Sequence, residues 1–126
     1  MPGVYLYQPD GRTAGYAVPV AGQGFWAPIR GVVGVKPDLK TLAGLAFYDQ
    51  NETPGLGARI AERSFRGQFE GLRLGEPERL IGIRAPSVNL AEHEVHAISG
   101  ATQTCVRLEK LINDSLNAWL AEWRGG

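Results

Sequence analysis

The sequence predicts an α+β fold, in which a twisted, mostly antiparallel sheet packs against a long C-terminal helix and a short middle helix. The first half of the chain contains short apolar runs separated by turn residues, which is typical of strands joined by hairpins. Near the C-terminus, apolar residues recur at intervals of three and four, which is typical of one face of a helix. Because the chain has neither an internal repeat nor a long linker, residues 1–126 are expected to form a single domain.

Four strands are expected in the first half. Residues 4–7 and 13–20 are β-prone and flank the turn sequence Pro9-Asp10-Gly11, which predicts a hairpin. Residues 29–35 and 41–49 flank a second turn and predict another strand pair. Because these two later runs are apolar on both faces, we expect them at the centre of a sheet that is covered on two sides.

The second half predicts two helices and two short strands. Residues 58–69 predict the middle helix, and residues 80–85 and 94–98 predict the strands. The long helix is expected over residues 102–123, with Ser99 as its candidate N-cap. The residues expected to face inward are Ile60, Phe65 and Phe69 on the middle helix, and Cys105, Leu108, Ile112, Leu116, Trp119 and Trp123 on the long helix.

Charge and cysteine content exclude several classes of function. Thirteen Lys and Arg residues balance thirteen Asp and Glu residues, so the chain lacks the overall positive field of a nucleic-acid-binding protein. The single cysteine, Cys105, rules out an internal disulfide and a thiolate-built zinc or iron–sulfur site.

No apolar run approaches the length needed to span a bilayer. No catalytic Ser-His-Asp set can be nominated, and the spacing of His93 and His96 does not match a zinc-protease helix, so no metal site is predicted.

The start of the long helix is a candidate anion site. Free N–H groups and the positive end of the helix dipole attract negative groups such as phosphate. Gly100 and Ala101 allow close approach of the backbone, and Ser99, Thr102 and Thr104 supply hydroxyls. The alternative is a plain Ser or Thr helix cap with no ligand.

Two glycine-containing segments are further candidates for a binding site. Glu52-Thr53-Pro54-Gly55-Leu56-Gly57 contains a type II turn sequence, but its second glycine and intervening leucine also suit a flat ligand packed against a loop. The segment lacks the third glycine of a dinucleotide-binding loop. Gly22-Gln23-Gly24-Phe25-Trp26 again places glycines beside aromatic residues, for which core packing is the alternative.

Together these segments resemble a known family. Gly22-x-Gly24-Phe25-Trp26, then Glu52-Thr53-Pro54-Gly55-Leu56-Gly57, then Ser99-Gly100-Ala101-Thr102 are similar, in this order, to the FMN-binding domain family. That domain occurs in the C subunit of the sodium-translocating NADH:quinone oxidoreductase and in the related G subunit of the Rnf electron-transport complex. The surroundings of Phe47-Tyr48 and Gln68-Phe69 are more similar to the C subunit.

The resemblance implies a cofactor and roles for particular residues. In the family, the threonine that ends Ser-Gly-Ala-Thr, here Thr102, carries FMN through a phosphoester bond that a separate flavin transferase installs. The resemblance assigns no catalytic residue, because the redox chemistry belongs to the flavin. The other residues that it places at or near FMN are Glu52, Thr53, Gly55, Leu56 and Gly57 in the loop, Ser99, Gly100, Ala101 and Thr104 around the helix start, and Trp26.

The resemblance also implies a cellular setting. It predicts an electron carrier that works with the other subunits of a membrane redox complex, on the extracytoplasmic side, and that is monomeric when isolated. The N-terminal anchor helix usual in the family is absent from this sequence. His96 stands where the family usually has the aspartate that belongs to the transferase's recognition motif. An interaction module that binds FMN non-covalently, or binds no flavin, is therefore the alternative.

Overall fold

The computed structural model describes residues 4–7, 13–52, 54–55 and 57–125 of the 126-residue chain. The expected turn at Pro9-Asp10-Gly11 lies outside the described residues, as do Thr53 and Leu56. The fold is α+β, as the sequence predicts.

Four consecutive strands form one antiparallel sheet with the order β1-β2-β3-β4. Both expected strand pairs are present, because β1 pairs with β2 and β3 pairs with β4. The pairing of β2 with β3 joins them into a continuous sheet. The strands are β1 (Val4–Tyr7), β2 (Thr13–Gln23), β3 (Pro28–Val35) and β4 (Leu42–Asp49).

The expectation that the third and fourth strands are covered on both faces is wrong. Ile29, Val33 and Val35 of β3 are buried, but the alternate positions are exposed or half-buried, and β4 lies at an edge of this sheet. The outward positions of β4 include Ala43 and Ala46, both exposed. Because alanine exposes little apolar surface, an outward face of such residues reads as apolar in the sequence without being buried.

The long C-terminal helix is confirmed, with the bounds Thr102–Gly125 (α2). It packs across β2, where the rings of Tyr16 and Trp119 approach to 5.5 Å between centroids. No helix in the described part of the chain is long and apolar enough to cross a membrane. The apolar side chains that α2 buries among the described residues are Cys105, Leu108, Leu111, Ile112, Leu116, Trp119 and Leu120.

The middle segment is not the single helix expected over residues 58–69. It consists of a 3-10 turn at Gly57–Ala61, a short helix α1 at Arg63–Arg66, and a second 3-10 turn at Gly67–Phe69. Glu62, between the first two pieces, has an extended backbone with ψ 146. In a continuous helix, positions 60 and 65 would lie about 140° apart around the axis. The break allows Ile60, Phe65 and Phe69 all to be buried.

The two remaining strands form a separate parallel pair, β5 (Gly82–Arg84) and β6 (Glu94–His96), each shorter than expected. Side chains of α2 bind the backbone leading into this pair. Asn113 Nδ2 donates to the Ile81 carbonyl and Asn113 Oδ1 accepts from the Ile81 amide, both at 2.9 Å. The carboxylate of Glu109 accepts from the Ile83 amide at 2.6 Å. The pair is therefore fixed to the helix whose first turn carries the candidate site.

Candidate functional site

A cleft of about 360 Å³ lies at the N-terminal end of α2. One wall is the end of the β2–β3 connection, and the other is the first turn of the helix. The lining residues are Phe25, Trp26, Gly57, Gly100, Ala101, Thr102, Gln103 and Thr104. Thus all three segments singled out in the sequence contribute to one cleft, although they are far apart in the chain.

The start of α2 differs from the expected Ser99 cap. The amide of Cys105 donates to the carbonyl of Ala101 at 3.0 Å, so Ala101, and not Ser99, occupies the N-cap position. An alanine has no side-chain oxygen to offer to the amides of the first turn. The chain enters the helix through Gly100, whose φ of 79 favours glycine. The positive end of this 24-residue helix therefore borders the cleft.

The hydroxyl-bearing residues at the helix start have different surroundings. Thr102 is exposed and borders the cleft, whereas Thr104 is 3% exposed and donates its hydroxyl hydrogen to Glu52. Ser99 does not line the cleft but borders two neighbouring pockets. Thr102 also borders one of those, a largely apolar pocket of about 280 Å³ that includes Cys105.

Glu52 is buried behind the cleft, with 3% exposure. One carboxylate oxygen accepts hydrogen bonds from the Phe25 amide and from the Thr104 hydroxyl, both at 2.8 Å. The other oxygen accepts from the Trp26 amide at 3.1 Å. One carboxylate therefore ties the β2–β3 connection to the first turn of α2.

Gly57 is required where this carboxylate meets the helix. A Cβ on Gly57 would overlap Thr104 Oγ1 and would lie 2.8 Å from the Cβ of Glu52. Contacts this close force a neighbouring group to move, so any larger residue would push Glu52 and Thr104 out of place. The second glycine of the loop thus serves the close packing of the cleft's rear wall.

Phe25 and Trp26 form an exposed aromatic wall. Their ring centroids lie 4.8 Å apart, and Trp26 is 65% exposed. Large exposed aromatic side chains beside a cleft are typical of binding surfaces rather than of cores. Core packing, the alternative for these two residues, is therefore not what the structure shows.

The structure brings most, but not all, of the expected residues together. Trp26, Gly57 and the segment 100–104 line the cleft, while Glu52 lies behind it. Gly55 is exposed in a turn with φ 77 and does not line the cleft. Thr53 and Leu56 lie outside the described residues, so their roles stay predictions.

Two lining residues, Phe25 and Gln103, were not among the residues expected at the cofactor. Phe25 adjoins Trp26 and Gln103 adjoins Thr102, and each is exposed. Adjacency to an expected site residue is the signal that would have found both. For Gln103 the position in the first turn of a helix adds to that signal.

Neither His93 nor His96 lines the cleft. The ring of His96 places Nε2 2.9 Å from the carbonyl oxygen of Val88. Within the part of the chain that the structure describes, no three His, Cys, Asp or Glu side chains converge in a way that could hold a metal ion.

The cleft has the features that a flavin phosphate needs. The amides of a helix start favour a phosphate, Thr102 is exposed, and the other wall carries two aromatic rings inclined at 44° to each other. Small residues at 57, 100 and 101 leave the backbone open to close approach. The residues present thus fit FMN.

Comparison with known proteins gives the same cofactor. The FMN-binding domain family matches residues 24–117. The C subunit of the Na(+)-translocating NADH-quinone reductase of Pasteurella multocida is 37% identical over 123 residues, which covers 94% of this chain and 45% of that protein. The corresponding protein of Pseudomonas aeruginosa is 31% identical, with 98% of this chain and 51% of that protein covered.

A solved structure shows the same fold. The crystal structure of the Na(+)-translocating NADH-quinone reductase C subunit from Parabacteroides distasonis aligns with a TM-score of 0.78 at 31% identity, covering 88% of this chain and 57% of that one. The chain spans about half the length of the curated relatives it matches. On this similarity of sequence and fold, the chain belongs to the FMN-binding domain family, resembles the C subunit of the sodium-translocating NADH-quinone reductases, and has FMN as its cofactor.

Proposed function

We propose that the chain is an electron-carrying domain in which FMN occupies the cleft at the start of α2 and is attached through its phosphate to Thr102. The observation that carries this proposal is the exposed hydroxyl of Thr102 on the first turn of a long helix whose N-cap is an alanine. A phosphate on that hydroxyl would lie where the helix amides and dipole stabilise negative charge, by about 0.3–1 kcal/mol in exposed settings.

The surroundings of the two threonines favour Thr102 over Thr104 as the attachment point. The Thr104 hydroxyl is buried and its hydrogen is already donated to the Glu52 carboxylate. Esterification at Thr104 would break this bond and bury a phosphate beside a carboxylate, which is electrostatically unfavourable. Thr102 is exposed, so a flavin transferase can reach its hydroxyl.

The residues of the cleft bind and orient the cofactor, and none acts as an acid or base. Thr102 is the tether, the helix start holds the phosphate, and the ring of Trp26 supplies a flat surface for the flavin. FMN itself, when bound, supplies the redox chemistry by accepting and releasing electrons. On its own, the domain therefore turns over no substrate.

The relatives support a setting in a membrane complex. They are named as subunits of NADH-quinone reductases, and this chain covers only part of each. We infer that the domain exchanges electrons with other subunits of such a complex, on the extracytoplasmic side of the membrane. A flavin transferase is the maturation partner, and the isolated domain is a monomer.

Attachment is tested by expressing the chain with a flavin transferase and measuring its intact mass. The mass is expected to rise by one FMN less one water, because that is the difference in composition between the free chain and its FMN phosphoester at Thr102. Thr102→Ala abolishes the increase, and Thr102→Ser restores it because the hydroxyl remains. An increase that survives in Thr102→Ala but disappears in Thr104→Ala would move the attachment site to Thr104.

One observation favours a second candidate, a domain that holds FMN without a covalent bond. His96 replaces the aspartate that the family usually carries three residues before Ser99. Its ring contacts the Val88 carbonyl, and its backbone is bonded to Gln68, so this segment is fixed on the surface next to the attachment site. In this case the purified protein would be yellow, but acid denaturation would release all the flavin. His96→Asp would then convert it to the covalent form.

A further inference from the structure

Glu52 is a buried carboxylate for which the proposed function has no use. It accepts hydrogen bonds from two segments that lie 26 to 52 residues away in the sequence. All three donors, two amides and one hydroxyl, point at its oxygens, which is the pattern that an ionised carboxylate satisfies. Among the described residues, no Lys or Arg forms an ion pair with it.

Burying a carboxylate is unfavourable, so its presence between the two walls indicates a specific role. A carboxylate removed from water loses several kcal/mol of solvation, which hydrogen bonds must offset. The same two walls could be joined by apolar packing without a charge. Glu52 instead reaches the Phe25 and Trp26 amides on one side and the Thr104 hydroxyl on the other. These groups belong to the two walls of the cleft.

We propose that Glu52 is the positioning residue of the flavin site. It sets the distance between the aromatic wall and the first turn of α2, and its negative charge lowers the midpoint potential of the bound flavin. The inference rests on the proposed function, because it requires FMN in this cleft. Glu52 does not line the cleft, so it positions the cofactor through Phe25, Trp26 and Thr104, whereas its charge acts on the flavin through space.

The negative charge of Glu52 and the hydrogen bonds by which it joins the two walls have separable consequences. Reduction adds electrons to the flavin, and a nearby carboxylate in a poorly solvated wall opposes the added negative charge. Glu52→Gln removes the charge and places an amide donor against backbone donors. Glu52→Asp keeps the charge but is one methylene shorter, so it cannot reach both walls at once.

The first experiment titrates FMN into protein made without a flavin transferase and measures binding by flavin fluorescence. Both Glu52→Gln and Glu52→Asp are expected to weaken binding about ten-fold, since each disrupts hydrogen bonds to a charged group. Glu70→Gln is the matched control, because Glu70 pairs with Arg63 on the surface, away from the cleft. It should bind FMN like the original chain.

The second experiment measures the midpoint potential of the flavin-loaded variants. Glu52→Gln is expected to raise the potential, whereas Glu52→Asp should leave it near the original value because the charge remains. A purely structural role predicts a lower melting temperature for both variants with the potential unchanged.

Thr104 provides a test that does not depend on the folding of Glu52 variants. Thr104→Val removes the hydroxyl donor with little change of volume, and should weaken FMN binding, while Thr104→Ser should restore it. If the original chain neither binds free FMN nor gains its mass on expression with a flavin transferase, the proposed function fails. If it binds FMN and the Glu52 and Thr104 variants match it in affinity and potential, only the role of Glu52 fails.

Discussion

The core between sheet and helix and the cleft at the start of α2 are built in different ways. In the core, the packed side chains are apolar and come from segments with regular spacing. Examples are Leu108, Ile112 and Leu116 on α2 and Val18 and Val20 on β2, which belong to one buried cluster. In the cleft, three separate segments meet, and hydrogen bonds to one carboxylate hold them. The stability of the core therefore depends on the apolar area that is buried, whereas the shape of the cleft depends on a few directed hydrogen bonds.

This difference means that stability and ligand binding should respond to different substitutions. Removing buried area lowers the free energy of unfolding, whereas changing the exposed wall of the cleft alters affinity with little effect on folding. A substitution in one region that produced the effect expected of the other would show that the two are coupled through the first turn of α2.

The largest expected effect is on the core. Leu108→Ala should lower the free energy of unfolding by about 2–5 kcal/mol, because Leu108 is 0% exposed and its truncation leaves a cavity in the core. Val106→Ala, two residues earlier on the same helix, is the matched control. Val106 is 60% exposed, so its change should stay within about 0.5 kcal/mol. Denaturant unfolding followed by circular dichroism measures both, and equal losses would contradict this account of the core.

A smaller effect is expected on the aromatic wall. Trp26→Ala should weaken FMN binding by about ten-fold, because a stacked aromatic pair contributes about 0.5–1.5 kcal/mol beyond buried area. The melting temperature should change little, since the side chain is largely exposed. Trp26→Phe keeps a ring and should recover most of the affinity. Unchanged affinity in Trp26→Ala would remove Trp26 from the site, whatever its effect on stability.

The same contrast explains which features could be predicted from the sequence. The four sheet strands and α2 follow from local patterns, because alternation and helical spacing are set by neighbours in the chain. The middle segment does not, since three buried residues at 60, 65 and 69 could be reached only by interrupting the helix at Glu62. Its conformation is set by where the core lies, which local spacing does not encode.

Only part of the cleft could be predicted from the sequence. Family resemblance brought Thr102, Gly57 and Trp26 together, and the structure places all three at one cleft. The hydrogen bonds of Glu52 could not be predicted, because their donors lie 26 to 52 residues away and carry no pattern of their own. The helix starts at Thr102 as expected, but the Ser99 cap was wrong for a local reason: Gly100, with φ 79, leads into the helix and leaves Ala101 at the N-cap position.

Cys105 lies where the two regions meet, and it gives the smallest expected effect. Its side chain lies at the start of α2 and is buried. This burial raises the pKa of the Cys105 thiol above its usual value of 9.0. The unfolded chain therefore loses the thiol proton at lower pH than the folded chain does. The thiol contributes its full stability below pH 9, and this contribution declines as the pH rises above that value.

At about pH 9.5 the loss should remain under about 1 kcal/mol, because this pH is only about half a unit above the usual thiol value of 9.0. Urea unfolding at about pH 7.5, 8.5 and 9.5 measures it, and Cys105→Ala, which has no thiol to titrate, should lack this part of the pH dependence. A thiol reagent should also react slowly with the folded chain at about pH 8. Rapid reaction would mean that the first turn of α2 opens readily, and that the cleft moves independently of the core beneath it.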